Sequence, residues 1–404
     1  MVKANDPSLH SWIEIAATSH FPIQNLPFGI FQTEDRDPRV GVAIGECILD
    51  LCVVAQHNMF ELIDLDPNVF HRSSLNDFIS LGRPVWRAVR NRVSELLRTS
   101  NEEICGNSDL IRECLIKQSD AQLLLPIPIA DGILESSTGF HSGSKTLWQN
   151  EHISQHLRNS ESATLPSPPT FTGDGIKLQH PEMEISSPHI QVPPSAPCQQ
   201  LDFEVSIGLI INKAESAPEA ITAEADASVF GFVVVNKWLV KDASAGAGST
   251  TAMAVSPWVV TLDALEPFKV KAPEQTQKPL LEDVGSYYYD LKLEVQLQSE
   301  NELENSLCSI PYKYTSSNLY KSLTSQSSIG SHLPGSRLIP SSENAYTALP
   351  ALPPPSASPT MATERNQMLH TKEADTVVVR CYGERNGISI GFGEVRTRVL
   401  QKIV

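Results

Sequence analysis

Apolar and polar positions alternate most clearly over residues 201–212, where Phe203, Val205, Ile207 and Leu209 fall on one side and Asp202, Glu204, Ser206 and Gly208 on the other. A period of two predicts a β-strand with one packing face and one face free to bind. A second apolar run, 229–238, ends in polar groups, and 255–268 forms a third block. Residues 287–297 alternate in their later part as a half-exposed strand, and 375–383 and 388–400 read as further strands. Earlier, 28–44 gives short β-rich runs split by the polar stretch 35–38, and 47–53 adds another. Helical signals follow these. Residues 74–82 open with Ser74 as a cap and close on Gly82, and Pro84 sits in the first turn of a helix over 85–97. In that helix Val85, Val89, Val93 and Leu96 make one stripe, so its arginines are expected on a solvated face.

The chain of 404 residues has room for two domains and a large core. Residues 15–120 read as a small domain of their own, and a linker near 116–122 leads into the apolar run 123–130. A formal charge of −16 without a basic cluster argues against nucleic acid or an anionic membrane as partner, leaving a small molecule or another protein. The start of the chain has no apolar leader, and no run of eighteen apolar residues occurs. These features, with seven scattered cysteines read as reduced thiols or small buried hydrophobes, lead us to expect a cytoplasmic protein. The stretches 159–198 and 315–362 are rich in Ser and Pro and are expected to be disordered. Gly246 and Gly248, like Gly391 and Gly393, lack the strand-turn-helix setting of a phosphate loop. No nucleophile-elbow signature suggests a serine hydrolase.

Several blocks, in order, carry a resemblance: 20–31, 39–45, 49–51, 201–212, 229–242, 255–268 and 388–394. Together they resemble the fumarylacetoacetase family. The resemblance implies a mainly β fold with some α: a small N-terminal SH3-like barrel domain, here 15–120, and a β-rich C-terminal domain, here 123–404. It implies Ca²⁺ and Mg²⁺ as cofactors and a homodimer. The implied reaction is hydrolysis of the carbon–carbon bond of 4-fumarylacetoacetate, a small diketo acid, to fumarate and acetoacetate in tyrosine and phenylalanine degradation.

Residue by residue, the resemblance places His141 on the family's general base. Leu134 falls on a metal-binding aspartate, with Glu135 one position away as the substitute carboxylate. Glu204 matches the first of two metal-binding glutamates and Ser206 replaces the second, while Lys237 stands where a further aspartate ligand belongs. The implied metal ligands are therefore Glu204 and Glu135. Lys241 occupies the place of a substrate-binding arginine, keeping the charge but losing the bidentate fork. Trp148, His156 and Arg158 keep the spacing of a family Trp, His and Arg. A lysine beside a single carboxylate does not suit a hard divalent ion. Lys237 either supplies the positive charge the ion would supply, paired with Glu204 across adjacent strands, or turns its head to water. No glutamate that would orient the histidine is found in 315–360. Two functional readings stand: a divergent hydrolase of fumarylacetoacetate or a related diketo acid, and a non-catalytic relative acting as scaffold or partner subunit, or an altered gene product.

Overall fold

A computed structural model describes residues 2–127, 140–141, 176–179, 200–212, 229–241, 249–271, 287–298, 305–315, 345–349 and 376–400. The N-terminal part holds β1 (Phe28–Thr33), β2 (Arg36–Ile44), β3 (Cys47–Asp50), α1 (Leu51–Gln56), α2 (Asn76–Ser80), α3 (Arg83–Leu96), α4 (Ser108–Cys114), β4 (Leu115–Lys117) and β5 (Gln122–Leu124). Its strands make an antiparallel sheet in the order β4-β3-β2-β1-β5. Pleating sorts this sheet into two faces: Phe28, Ile30, Val40, Val42 and Leu49 pack under the helices, while Phe31, Ala43 and Ile48 turn to Trp258. Gly29 is required on that second face, because a Cβ there would sit 2.6 Å from the Trp258 ring.

Local chemistry moved several expected boundaries. The run 47–53 is a strand only as far as Asp50, whose carboxylate accepts from the Cys52 and Val53 amides and so starts α1. The polar break at 35–38 is narrower than expected: β2 resumes at Arg36 and carries Pro38 beside a register shift, where a missing N–H is tolerated. Ser74 lies outside α2, accepting only a long 3.4 Å bond from the Asn76 amide, and Gly82, at φ +81°, separates α2 from α3.

The expected solvated arginine face of α3 is overturned. Arg90 is 1% exposed and donates to the carbonyls of Gln24 and Asn25. Arg83 and Arg87 instead grip Asp263 in the C-terminal part, at 2.8 and 2.7 Å. An amphipathic stripe identifies the apolar side of a helix, but a long guanidinium stem can still reach a buried carboxylate beside it.

The C-terminal part contains β6 (Phe140–His141), β7 (Ile176–Gln179), β8 (Gln200–Ile211), β9 (Val229–Lys241), β10 (Ser249–Val255), β11 (Val260–Thr261), α5 (Leu262–Leu265), β12 (Lys269–Lys271), β13 (Tyr287–Gln298), β14 (Asn305–Thr315), β15 (Ala345–Leu349), β16 (Thr376–Arg385) and β17 (Ile388–Leu400). One sheet runs β10-β9-β8-β15, with β6 also on β8 and β11 on β9; the other runs β12-β13-β16-β17-β7, with β14 on β13. The two meet over a shared apolar layer built from Val205, Ile207, Phe232 and Val234 on one side and Leu291, Leu293, Val377 and Val379 on the other. Two strands fall inside stretches expected to be disordered. Residues 176–179 pair in parallel with the end of β17, and 345–349 pair with β8; the short apolar alternation at each site finds a ladder to join. The remainder of 159–198, and 316–344 with 350–362, lies outside the described residues.

The helical layer and the β8-β9-β10 sheet share one cluster: Ile210, Phe230, Val233, Val235, Val255 and Val259 join the N-terminal core. Reciprocal backbone bonds between Phe28 and Val259, at 3.0 and 2.7 Å, fasten the first strand directly to the second part. Among the described residues, no helix is long and apolar enough to cross a membrane.

Candidate active site

Strand β8 carries the site because its two halves have different surroundings. Val205 and Ile207 fill the layer between the sheets. On the alternate positions, Ile210 packs into the N-terminal core, and Gly208 lies beneath Val233 and Val235, where a Cβ would meet both valine methyls at 2.9 Å. Following that same alternation back along β8 leads to Ser206, Glu204 and Asp202. One face of the strand is thus packed at its C-terminal half and carries the polar positions at its N-terminal half. The sequence reading of an alternating strand holds, and its polar side proves to be packing surface at one end.

Register brings three titratable residues into line. His141 lies directly opposite Glu204, Glu204 directly opposite Lys237, and Lys237 directly opposite Met253. Directly opposed positions of an antiparallel ladder share a face and stand about 5 Å apart. His141, Glu204 and Lys237 therefore occupy one row spanning three adjacent strands, roughly 10 Å across. This register makes Glu204 and Lys237 cross-strand neighbours, which one of the two sequence readings of Lys237 requires. Lys241 ends β9 opposite Gln200, about 13 Å further along the strand by its rise per residue. Glu135, Trp148, His156, Arg158 and residues 242–248 lie outside the described residues.

The adjacent row holds a residue that sequence reasoning passed over. Asn236 lies between Val205 and Ala254, is 0% exposed, and neither its Oδ1 nor its Nδ2 has a hydrogen-bond partner among the described residues. Its signal was available: an amide at the end of the valine run 233–235. Orphaned buried amides are costly, of order 1–3 kcal/mol, and in natural proteins they concentrate at functional sites.

The donor chemistry of the row does not fit the hard cations implied by the resemblance. Calcium and magnesium require several carboxylate or carbonyl oxygens. Here the row offers one carboxylate between an imidazole and an ammonium, and no group of three His, Cys, Asp or Glu residues converges among the described residues.

Below the sheet, electrostatic anchors hold the framework. Asp263, in α5, takes two bonds from Arg87 and one from Arg83, and its backbone carbonyl accepts from Asn5 Nδ2. Burial works against its charge, but the arginine bonds outweigh burial and hold its pKa at about 2. Burial with no carboxylate in contact lowers Arg90 to about 10.

Comparison with known proteins agrees with this architecture. Residues 24–126 match the model of the fumarylacetoacetase N-terminal family, and residues 147–309 match that of the fumarylacetoacetate (FAA) hydrolase C-terminal family. The fumarylacetoacetase of Dictyostelium discoideum is 30% identical over 97% of this chain and 98% of its own. The chain belongs to the fumarylacetoacetase family. Other relatives are the fumarylacetoacetases of Arabidopsis thaliana, 31% identical over 79% of each chain, and of Homo sapiens, 28% identical over 98% of this chain and 99% of its own. Among solved structures, maleylpyruvate hydrolase from Sphingobium sp. SYK-6 aligns over 93% of this chain and all of its own, at 14% identity and a TM-score of 0.45. The family assignment establishes a mainly β, two-part fold with some helix, matching the sequence-based expectation at that level.

Proposed function

We propose that the chain is a hydrolase of a carbon–carbon bond in a small diketo acid of the 4-fumarylacetoacetate type. The supporting observation is the row in which His141, Glu204 and Lys237 are direct neighbours on three strands. In this reading His141 takes a proton from water as the water oxygen bonds to the carbonyl carbon. The carbon–carbon bond then breaks, its electron pair leaves on the acetoacetate fragment as an enolate, and the proton held by His141 returns to that carbon. Glu204 balances the charge that forms on the imidazole. Lys237 supplies positive charge beside the developing oxyanion, and Lys241 binds a substrate carboxylate. The reading takes 15–120 as an SH3-like domain, 123–404 as the catalytic-type domain, and the protein as a cytoplasmic homodimer.

A second reading, a non-catalytic family member serving as scaffold or partner subunit, is favoured by one observation: Lys237 lies directly opposite Glu204 in the ladder. Turnover of fumarylacetoacetate by purified protein, with His141→Ala, Glu204→Gln and Lys237→Met alongside, separates the two. The hydrolase reading expects losses of roughly two to three orders of magnitude per variant. A folded wild type without turnover leaves the scaffold.

A further inference from the structure

Where the N-terminal segment meets the outer face of the second sheet lies a cleft of about 460 Å³ that shares no residue with the row on β8. We propose that it binds a small monocarboxylic acid with a planar, apolar body.

The polar end of the cleft is built on β16 and β17. Arg380 lies directly opposite Glu394 in the ladder. Glu394 accepts from Arg380 Nε at 2.6 Å through one oxygen and from Arg396 Nε at 2.6 Å through the other. Arg380 also donates to Gln296 Oε1 at 2.7 Å, so both of its ends and its Nε are engaged. Arg396 differs: among the described residues its further contact is a long 3.4 Å one to Gln298, and its side chain is half exposed. Burial works against the Glu394 charge, but the two arginine bonds prevail and hold its pKa below the usual carboxylate range. Two guanidinium groups thus share one ionised carboxylate, which leaves one positive charge and free donors on Arg396. A carboxylate is the natural complement of such a fork.

Flat rings form two of its walls. His20 stacks on Tyr382, with centroids 4.5 Å apart and planes 22° apart. It is pinned there: its carbonyl accepts from the Gly391 amide and from Asn25 Nδ2, and a Cβ at Gly391 would strike the His20 side chain at 2.7–2.9 Å. Burial, followed by the charge of Arg380, lowers the His20 pKa, so the ring is neutral at pH 7 and offers a face rather than a charge. Phe21 and Trp258 meet edge to face at 6.2 Å on another wall. Gly393, at φ +79°, keeps the backbone clear of Trp258, since a Cβ would come within 3.1 Å of the indole. Exposed Glu46 on the lining adds a negative charge that disfavours a dianion and selects a monocarboxylate.

Benzoate is the probe, with benzamide as its uncharged isostere, and binding is read by ligand-observed NMR and calorimetry on the full chain. Arg396→Gln is expected to weaken benzoate at least tenfold while Arg380 still holds Glu394. Thr18→Trp, an exposed lining position, is expected to block the cleft with the fold intact. His141→Ala is expected to leave benzoate affinity unchanged, which places the ligand here rather than on the β8 row. The proposal is overturned if benzoate and benzamide bind equally. It is equally overturned if Arg396→Gln and Thr18→Trp, shown folded by circular dichroism, bind benzoate like wild type, or if wild type shows no binding.

Discussion

Replacing Asp263 by Asn tests how the two parts of the chain are held together. The carboxylate is 8% exposed and receives three bonds from Arg83 and Arg87, while the fully buried Arg90 draws on its charge at longer range. A folded pKa of about 2 against the ordinary value of 3.8 corresponds to about 2.5 kcal/mol of stabilisation at neutral pH. Asparagine also leaves the arginine donors short of one charged acceptor, which brings the expected loss to about 2–4 kcal/mol. Urea unfolding at pH 7 should show it as a lower midpoint with an unchanged m-value, and Tm should fall by roughly 2–5 °C. The pH dependence carries a sign. Because the folded pKa is depressed, the contribution is fully present above the unfolded value and is lost as pH falls from about 4 through about 2. The gap between wild type and variant should therefore be constant from pH 7 to 5 and close below it. A double-mutant cycle with Arg87→Met should give a coupling of at least about 1 kcal/mol. A loss under about 0.5 kcal/mol at pH 7, or one that does not shrink in acid, would refute the reasoning.

Further outcomes follow from other buried features. Gly29→Ala, which forces a Cβ against the Trp258 ring and the Pro257 carbonyl, should destabilise by about 3 kcal/mol or more in the same unfolding assay. Asn236→Val, which removes two amide atoms without partners among the described residues from an apolar layer, should raise stability by about 1 kcal/mol; if it lowers turnover at the same time, the amide serves the reaction rather than the fold. His20 is held neutral by burial and by Arg380, so acid favours the unfolded chain, which binds the extra proton below its ordinary pKa near 6.5. Replacing it with Gln should flatten the fall in stability as pH drops below about 6.5.

Much of the fold was legible because period-two alternation survives wherever a sheet has a packed face. Residues 201–212 and 287–297 read as strands and are strands. What escaped was set by partners distant in sequence. Nothing near Arg90 announces that Gln24 and Asn25 will turn their carbonyls to it, and Asp263 meets Arg87 across 176 residues. The strand at 345–349 exists as a ladder on β8, a partner invisible in the Ser-rich and Pro-rich text around it. At the site, sequence reasoning reached His141, Glu204 and Lys237 singly and paired two of them, whereas the register shows all three in one row. Asn236 was overlooked because an amide after a valine run looks like a strand end, whereas β9 runs on to Lys241 and buries it.

Hydrolysis of fumarylacetoacetate by the purified full chain, measured in chelator and then with added Ca²⁺ or Mg²⁺, tests the central claim most directly. On the proposed reading, in which the row serves as base and fixed positive charge in place of a hard-cation site, turnover persists in chelator and is abolished in His141→Ala. Turnover that appears only with the divalent ion would contradict the reading of Lys237, and no turnover from a folded wild type would contradict the hydrolase itself.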